Sequence, residues 1–101
     1  GVISWRDAPE HVGEYVEIYG TVVATNYSPE SDGQPTFIDI GEAYPSPNRV
    51  TAVIWGEDRG NFPSAPEDMY EGRYIKVEGE LYQHDGVCNI RVSSPDQIVA
   101  R

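Results

Sequence analysis

Five stretches of this chain alternate apolar and polar residues with a period of two, and clusters of Gly, Pro, Asn and Asp separate them. A period of two places successive side chains on opposite faces of a half-buried strand. The first run, Glu14–Thr25 (EYVEIYGTVVAT), turns Val16 and Ile18 one way and Tyr15, Glu17 and Tyr19 the other. Gly20 in its middle predicts a bulge or sharp bend. Thr36–Ile40 (TFIDI) sends Ile38 and Ile40 inward and Phe37 and Asp39 outward. Arg49–Trp55 puts Val50, Ala52 and Ile54 on one face, and Arg49, Thr51, Val53 and Trp55 on the other. Arg73–Tyr82 directs Ile75, Val77 and Leu81 inward, and Val87–Val92 does the same with Cys88, Ile90 and Val92.

The connections read as turns. Asn26–Pro35 (NYSPESDGQP) is turn chemistry throughout and predicts no strand or helix; GEAYPSPN is a second loop, stiffened by Pro45 and Pro47. His84-Asp85-Gly86 predicts a tight hairpin by its Asp-Gly signal. Pro66-Glu-Asp-Met-Tyr predicts a helical turn, with Pro at its first position and acids in its first turn. Asp7–Val12 predicts a short or single helical turn ended by Gly13, and SSPDQIV a closing turn and extension with Ile98 plugging one end.

Five strands this short cannot bury two faces as an open sheet, but they can close on themselves. Strand, strand, strand, short helix, strand, strand is the OB-fold order. The expectation is therefore an all-β, five-stranded Greek-key OB-fold β-barrel, with a short helical turn between the third and fourth strands. A length of 101 residues suits one such domain spanning 1–101.

Charge restricts function more than fold. Seventeen acids against seven bases give −10 at pH 7, which argues against strong, sequence-blind phosphate binding. Six of the seven bases are arginines, and Lys76 is the one lysine; arginine both pairs with phosphate and stacks on rings. Glu14, Glu17, Glu78 and Glu80 fall on outward positions, where solvated strand charges are commonplace. A functional acidic face docking a basic partner is the alternative. Cys88, the single cysteine, cannot form an internal disulfide. No apolar run reaches the length of a membrane span. A start at Gly1 rather than Met points to an excised domain, a processed precursor or a tag remnant.

Four stretches carry a resemblance: DAPEHVGEYVEIYGTVV, TFIDIGEAYPSP, YEGRYIKVEGELY and NIRVSSPDQI. Together they make the chain resemble the small OB-fold, nucleic-acid-binding-like domains found alone or attached to bacterial and archaeal exported proteins and nucleases. The resemblance implies a barrel whose exposed middle strands bind single-stranded nucleic acid or, less often, another protein. Such binders carry a basic groove, and this chain departs from them in charge.

The outward face of the second and third strands is where such a barrel receives its ligand. It offers Phe37, Asp39, Arg49, Thr51, Val53 and Trp55, with Tyr19 from the first strand and loop tyrosines Tyr27 and Tyr44 beside it. Flat rings stack bases, and arginines beside them take phosphates. Arg49 stands nearest, with Arg91 and Lys76 available if the last strands curl toward the groove. A register slip of one residue would instead carry Phe37 and Trp55 into the core. Whether Arg49, Arg73, Lys76 and Arg91 gather around the rings or scatter among acids separates nucleic acid from a protein partner.

Metal and catalysis find little support. His11, His84 and Cys88 show no close ligand spacing, and no phosphate-cradling glycine loop or nucleophile elbow occurs. Asp39 with Arg49 reads as a cross-strand ion pair. The expectation is a non-enzymatic module without cofactor or metal, binding single-stranded nucleic acid weakly or else a protein partner.

Overall fold

The structure, a computed structural model, describes residues 2–101. Seven strands run in chain order: β1 (Val2–Ser4), β2 (Tyr15–Tyr27), β3 (Thr36–Ile40), β4 (Val50–Ile54), β5 (Tyr74–His84), β6 (Val87–Arg91) and β7 (Ile98–Ala100). Three short 3-10 segments, Trp5–His11, Gly56–Asn61 and Pro95–Gln97, and one helical turn, α1 (Pro66–Tyr70), fill the connections.

Two long strands turn the sheet back on itself. Tyr15–Thr21 of β2 pairs antiparallel with Tyr74–Glu80 of β5, and then β2 leaves β5 and pairs with β3 from Val22 to Tyr27. β5 likewise changes neighbour, its Leu81–His84 half pairing with β6. With β3–β4 antiparallel and β4–β6 parallel, pairing runs β2–β3–β4–β6–β5 and back to β2. This ring of strands encloses the core. Ile18, Ile38, Ile40, Ile54, Ile75, Leu81 and Ile90 are fully buried, each contributing about 1.5–3 kcal/mol of apolar burial. Ile98 joins the same cluster, as do Ala8, Phe62 and Tyr70. Cys88 lies there too, and burial raises its thiol pKa.

The expected inward sets hold, with Ile38, Ile40, Val50, Ala52 and Ile54 in the core. The opposite face is less open than expected: Phe37 is half-exposed, while Asp39, Thr51, Val53, Val87 and Asn89 are buried as well. The number of strands is corrected to seven. β1 pairs parallel with Glu17–Tyr19, and β7 antiparallel with Ile75–Val77, on the free edges of the two long strands. Three-residue segments are too short to display a period, so only the edges they occupy reveal them.

Three local expectations also change. Asn26 and Tyr27 belong to β2, opposite Phe37 and Thr36, and the loop begins at Ser28. Their polarity suits an outward strand position, and it is hydrogen bonding to β3 that extends the strand. The bulge falls at Val23, where the β2–β3 register shifts between Val22 and Ala24, and not at Gly20. Gly20 instead permits close packing: a Cβ there would come within 2.5 Å of Ile40 and 2.8 Å of the Trp5 ring. His84 closes β5 opposite Val87, so the hairpin turn is Asp85-Gly86 alone. Their φ angles of 51° and 78° suit the two-residue turn whose twist matches flanking strands.

Candidate functional site

The outer surface of β3 and β4 forms the floor of a groove of about 830 Å3. Phe37, Thr51 and Val53 project from that floor, and Trp55 stands where β4 ends. One wall is the β3–β4 loop with Tyr44, Pro45 and Pro47; the other is the β5–β6 hairpin with Tyr82, His84, Val87 and Asn89. The parallel β4–β6 pairing sets Asn89 beside Thr51 and thereby carries the floor onto β6.

A polar knot stiffens the floor. Asp39 is buried, and both its oxygens are occupied: Thr51 Oγ1 donates to Oδ1 at 3.0 Å and the Tyr44 amide to Oδ2 at 3.0 Å. Arg49 Nε lies 3.8 Å from Asp39 Oδ1, an ion pair too long for a hydrogen bond. Arg49 also donates through Nη1 to the Ser46 carbonyl at 2.7 Å, and its guanidinium rests 5.1 Å from the Tyr44 ring centroid. The expected Asp39–Arg49 pairing is thus present at the groove floor.

Trp55 is held from behind. A Cβ on Gly33, whose φ is +76°, would meet the Trp55 ring at 2.8 Å, and the Gly56 amide donates to the Gly33 carbonyl. The β2–β3 loop therefore backs one edge of the indole. Burial raises the pKa of the Tyr82 phenol, an effect that Arg91 opposes. His84 and Asp85, 3.4 Å apart, sit at the solvent-exposed rim.

Of the nine residues singled out from sequence, Phe37, Tyr44, Arg49, Thr51 and Trp55 come together here. The other four lie apart from the groove lining. Tyr19 and Lys76 project from the β1–β2–β5–β7 side, where Lys76 pairs with Glu17 at 3.2 Å. Tyr27 lies under Arg59, whose guanidinium carbon is 3.6 Å from the ring centroid. Arg59 is fixed in turn by Glu67 at 2.8 Å. Arg91 pairs with Glu57 at 2.9 Å and Asp58 at 3.2 Å. Arg73 donates to the Arg101 carbonyl. Of the four cations weighed from sequence, Arg49 alone stands with the groove rings, and Arg73, Lys76 and Arg91 are held by acids or a carbonyl elsewhere.

Sequence reasoning missed Tyr82, Val87 and Asn89 in the groove. The signal was available, since placing Cys88 and Ile90 inward sends Val87 and Asn89 outward. What was needed was to carry that alternation across the third-to-fifth strand pairing. Among the described residues no group of three His, Cys, Asp or Glu side chains gathers as a metal site would require.

No family model matches the chain, and no curated protein matches its sequence. Solved structures do share its fold. The Stn1–Ten1 complex of S. pombe superposes with a TM-score of 0.61 at 13% identity, over 92% of this chain and 67% of that one. A Leishmania major Friedlin protein provisionally assigned as an aspartyl-tRNA synthetase gives 0.60 at 15%, over 99% of this chain. The chain spans only 20% of that protein's length. A Klebsiella pneumoniae lipoprotein, provisionally assigned as nucleic-acid-binding, gives 0.57 at 11%, over 93% of this chain and 75% of that one. The fold is OB-like.

Proposed function

We propose that this chain is a non-catalytic OB-fold binding module whose groove over β3 and β4 takes a short stretch of single-stranded nucleic acid, mainly by stacking. In this reading the ring of five strands is the OB barrel, with β1 and β7 added at its edges. The observation that carries it is the concavity itself: Phe37, Trp55, Tyr44 and Tyr82 line one groove together with a single arginine. Base–aromatic stacking is worth about 1–3 kcal/mol per base and tolerates any sequence. The provisional nucleic-acid assignment of the Klebsiella lipoprotein supports the same reading. Asp39, the carboxylate at the floor, has both oxygens engaged in holding Thr51 and Tyr44, which suits a structural role over a catalytic one.

Charge sets the character of the binding. One arginine lines the groove among the described residues, and a carboxylate stands beside it. For a single strand the salt slope is about −0.7 per neutralised phosphate, so affinity should be modest and its slope shallow, near −0.7 or less. Titration of short mixed-sequence single-stranded DNA at low salt, followed by tryptophan fluorescence, should give saturable quenching that Trp55→Ala abolishes. Trp5, packed against Gly20 and Gly41, supplies the unchanging background. A flat titration would overturn the reading.

A second reading has an observation of its own. The net charge of −10 and the pairing of Arg59, Lys76 and Arg91 with acids favour a protein partner in the same groove. The Stn1–Ten1 neighbour is a complex of two proteins, which fits that alternative.

A further inference from the structure

The polar groups of the groove floor differ in how far they are already paired. Each Asp39 carboxylate oxygen already accepts one hydrogen bond, from Thr51 or from the Tyr44 amide. The Asn89 amide is turned to the Val87 carbonyl, donating at 2.8 Å. Arg49 donates once to Ser46, yet its buried Nε–H has no acceptor, and the guanidinium still faces the groove. Buried donors in folded proteins are nearly always paired, and arginine can only donate. That Nε–H is closed off beside Asp39, but Nη2 makes no hydrogen bond among the described residues either, and it is the donor that a ligand's acceptor could meet in the groove.

The setting of Arg49 also says which acceptor. A phosphate clamp is normally an exposed cation that gains by displacing counterions. Arg49 is 14% exposed, lies between the β3–β4 loop and the floor, and has a carboxylate 3.8 Å from its Nε. That neighbour offsets much of its charge while leaving its directional donors intact. The ring beside that guanidinium is Tyr44, 5.1 Å away and exposed, so a base held against Tyr44 would turn its edge toward Arg49. Phe37 and Trp55 stand farther along the same floor, toward the other end of β4. We propose that Arg49 is a specificity-determining residue that reads a base carbonyl, so that the groove takes keto bases (thymine, uracil, hypoxanthine, guanine) over adenine; this rests on the nucleic-acid reading of the groove.

Stacking alone makes no such distinction, because every base has a π-face. Adenine and hypoxanthine share one ring system and differ at position 6, an amino group in one and a carbonyl in the other. Ten-nucleotide strands of each, with a thymine strand beside them, would be titrated by tryptophan fluorescence across a salt series. A good bidentate arginine–base contact discriminates by about 5- to 150-fold. The hypoxanthine and thymine strands should therefore bind at least about fivefold tighter than the adenine strand. Arg49→Lys keeps the charge and loses the planar fork; it should erase that preference and leave the salt slope unchanged.

Equal wild-type binding of all three strands would overturn the proposal while the groove reading stood. So would an Arg49→Gln variant that weakened every strand by one factor and made the slope shallower by about 0.7, the behaviour of a phosphate contact. If no strand bound at low salt, the groove reading and this proposal would fall together. The wild-type comparison of adenine with hypoxanthine decides the matter even if neither variant folds.

Discussion

Two surfaces of this molecule carry tyrosines, a cation and carboxylates, and they differ in what those groups are free to do. On the outer face of β1–β2–β5–β7, Tyr19 and Tyr74 lie 6.1 Å apart, and Tyr15 is 67% exposed. Their polar neighbours satisfy one another: Tyr15 donates to Glu78 at 2.9 Å and Lys76 pairs with Glu17. The hydrogen bond to Glu78 raises the Tyr15 pKa, with burial and the charges of Glu78 and Glu17 adding to it. The hollow there is about 190 Å3. Over β3 and β4 the rings stand around a concavity more than four times larger, and one arginine donor is left without an acceptor. Ring count alone therefore does not locate a site. Concavity and unmatched hydrogen-bonding capacity do, since ligands gain most where surface is enclosed and polar groups converge.

Ring deletions should give the largest effect. Trp55→Ala or Phe37→Ala should weaken single-stranded DNA binding about 5- to 150-fold, the equivalent of one lost stacked base. Tyr19→Ala and Tyr15→Phe should stay within about twofold, since surface changes away from a site rarely matter. Anisotropy of a dye-labelled strand titrated with each of the four variants reads the contrast without relying on Trp55 as the reporter. A Tyr19→Ala loss matching that of Trp55→Ala would move the site to the other face.

An intermediate effect should come from the carboxylates. Asp39→Asn removes one acceptor from a buried knot and should cost about 1–3 kcal/mol of stability in urea unfolding. It also leaves Arg49 unopposed, so DNA affinity should rise and the salt slope should steepen. Glu78→Gln, the counterpart on the exposed face, should change stability by no more than about 0.5 kcal/mol. Similar costs for both would mean that Asp39 is no more engaged than a solvated strand residue.

How far the sequence disclosed this contrast depended on the length of each signal. The faces of Thr36–Ile40 and Val50–Ile54 were legible because alternation with fully buried isoleucines leaves one register. Phe37, Thr51 and Trp55 followed from it, and Arg49 from the residue before β4. β1 and β7 were not legible, since three residues carry no period and their pairing is set by edges that only the closed ring defines. Tyr19 was assigned to the wrong surface for a related reason. β2 serves two sheets, and the change of partner between Thr21 and Val22 depends on where β5 and β3 lie. The separation of Lys76 and Arg91 from the rings was likewise hidden, because each is held by an acid distant in sequence.

The smallest effect concerns the far end of β2, after it has crossed from the outer sheet to the groove sheet. Tyr27 lies there beneath Arg59, which donates to Glu67 and to Thr36 Oγ1. Burial alone would raise the Glu67 pKa. The hydrogen bond from Arg59, one from the backbone and the Arg59 charge outweigh it and bring the pKa below its ordinary 4.5. A carboxylate depressed in the folded state contributes stability that is fully present above the unfolded value. That stability is lost as pH falls through the lower folded value. Wild-type protein should therefore lose stability relative to Glu67→Gln only below about pH 4.5, and at neutral pH the pair should be worth no more than about 1 kcal/mol. Thermal unfolding of both proteins between pH 7 and 3 reads the difference. Convergence of the two curves on acidification would tie Arg59, and the Tyr27 ring beneath it, to the ionised Glu67. Curves that stay parallel would leave Tyr27 held by packing alone.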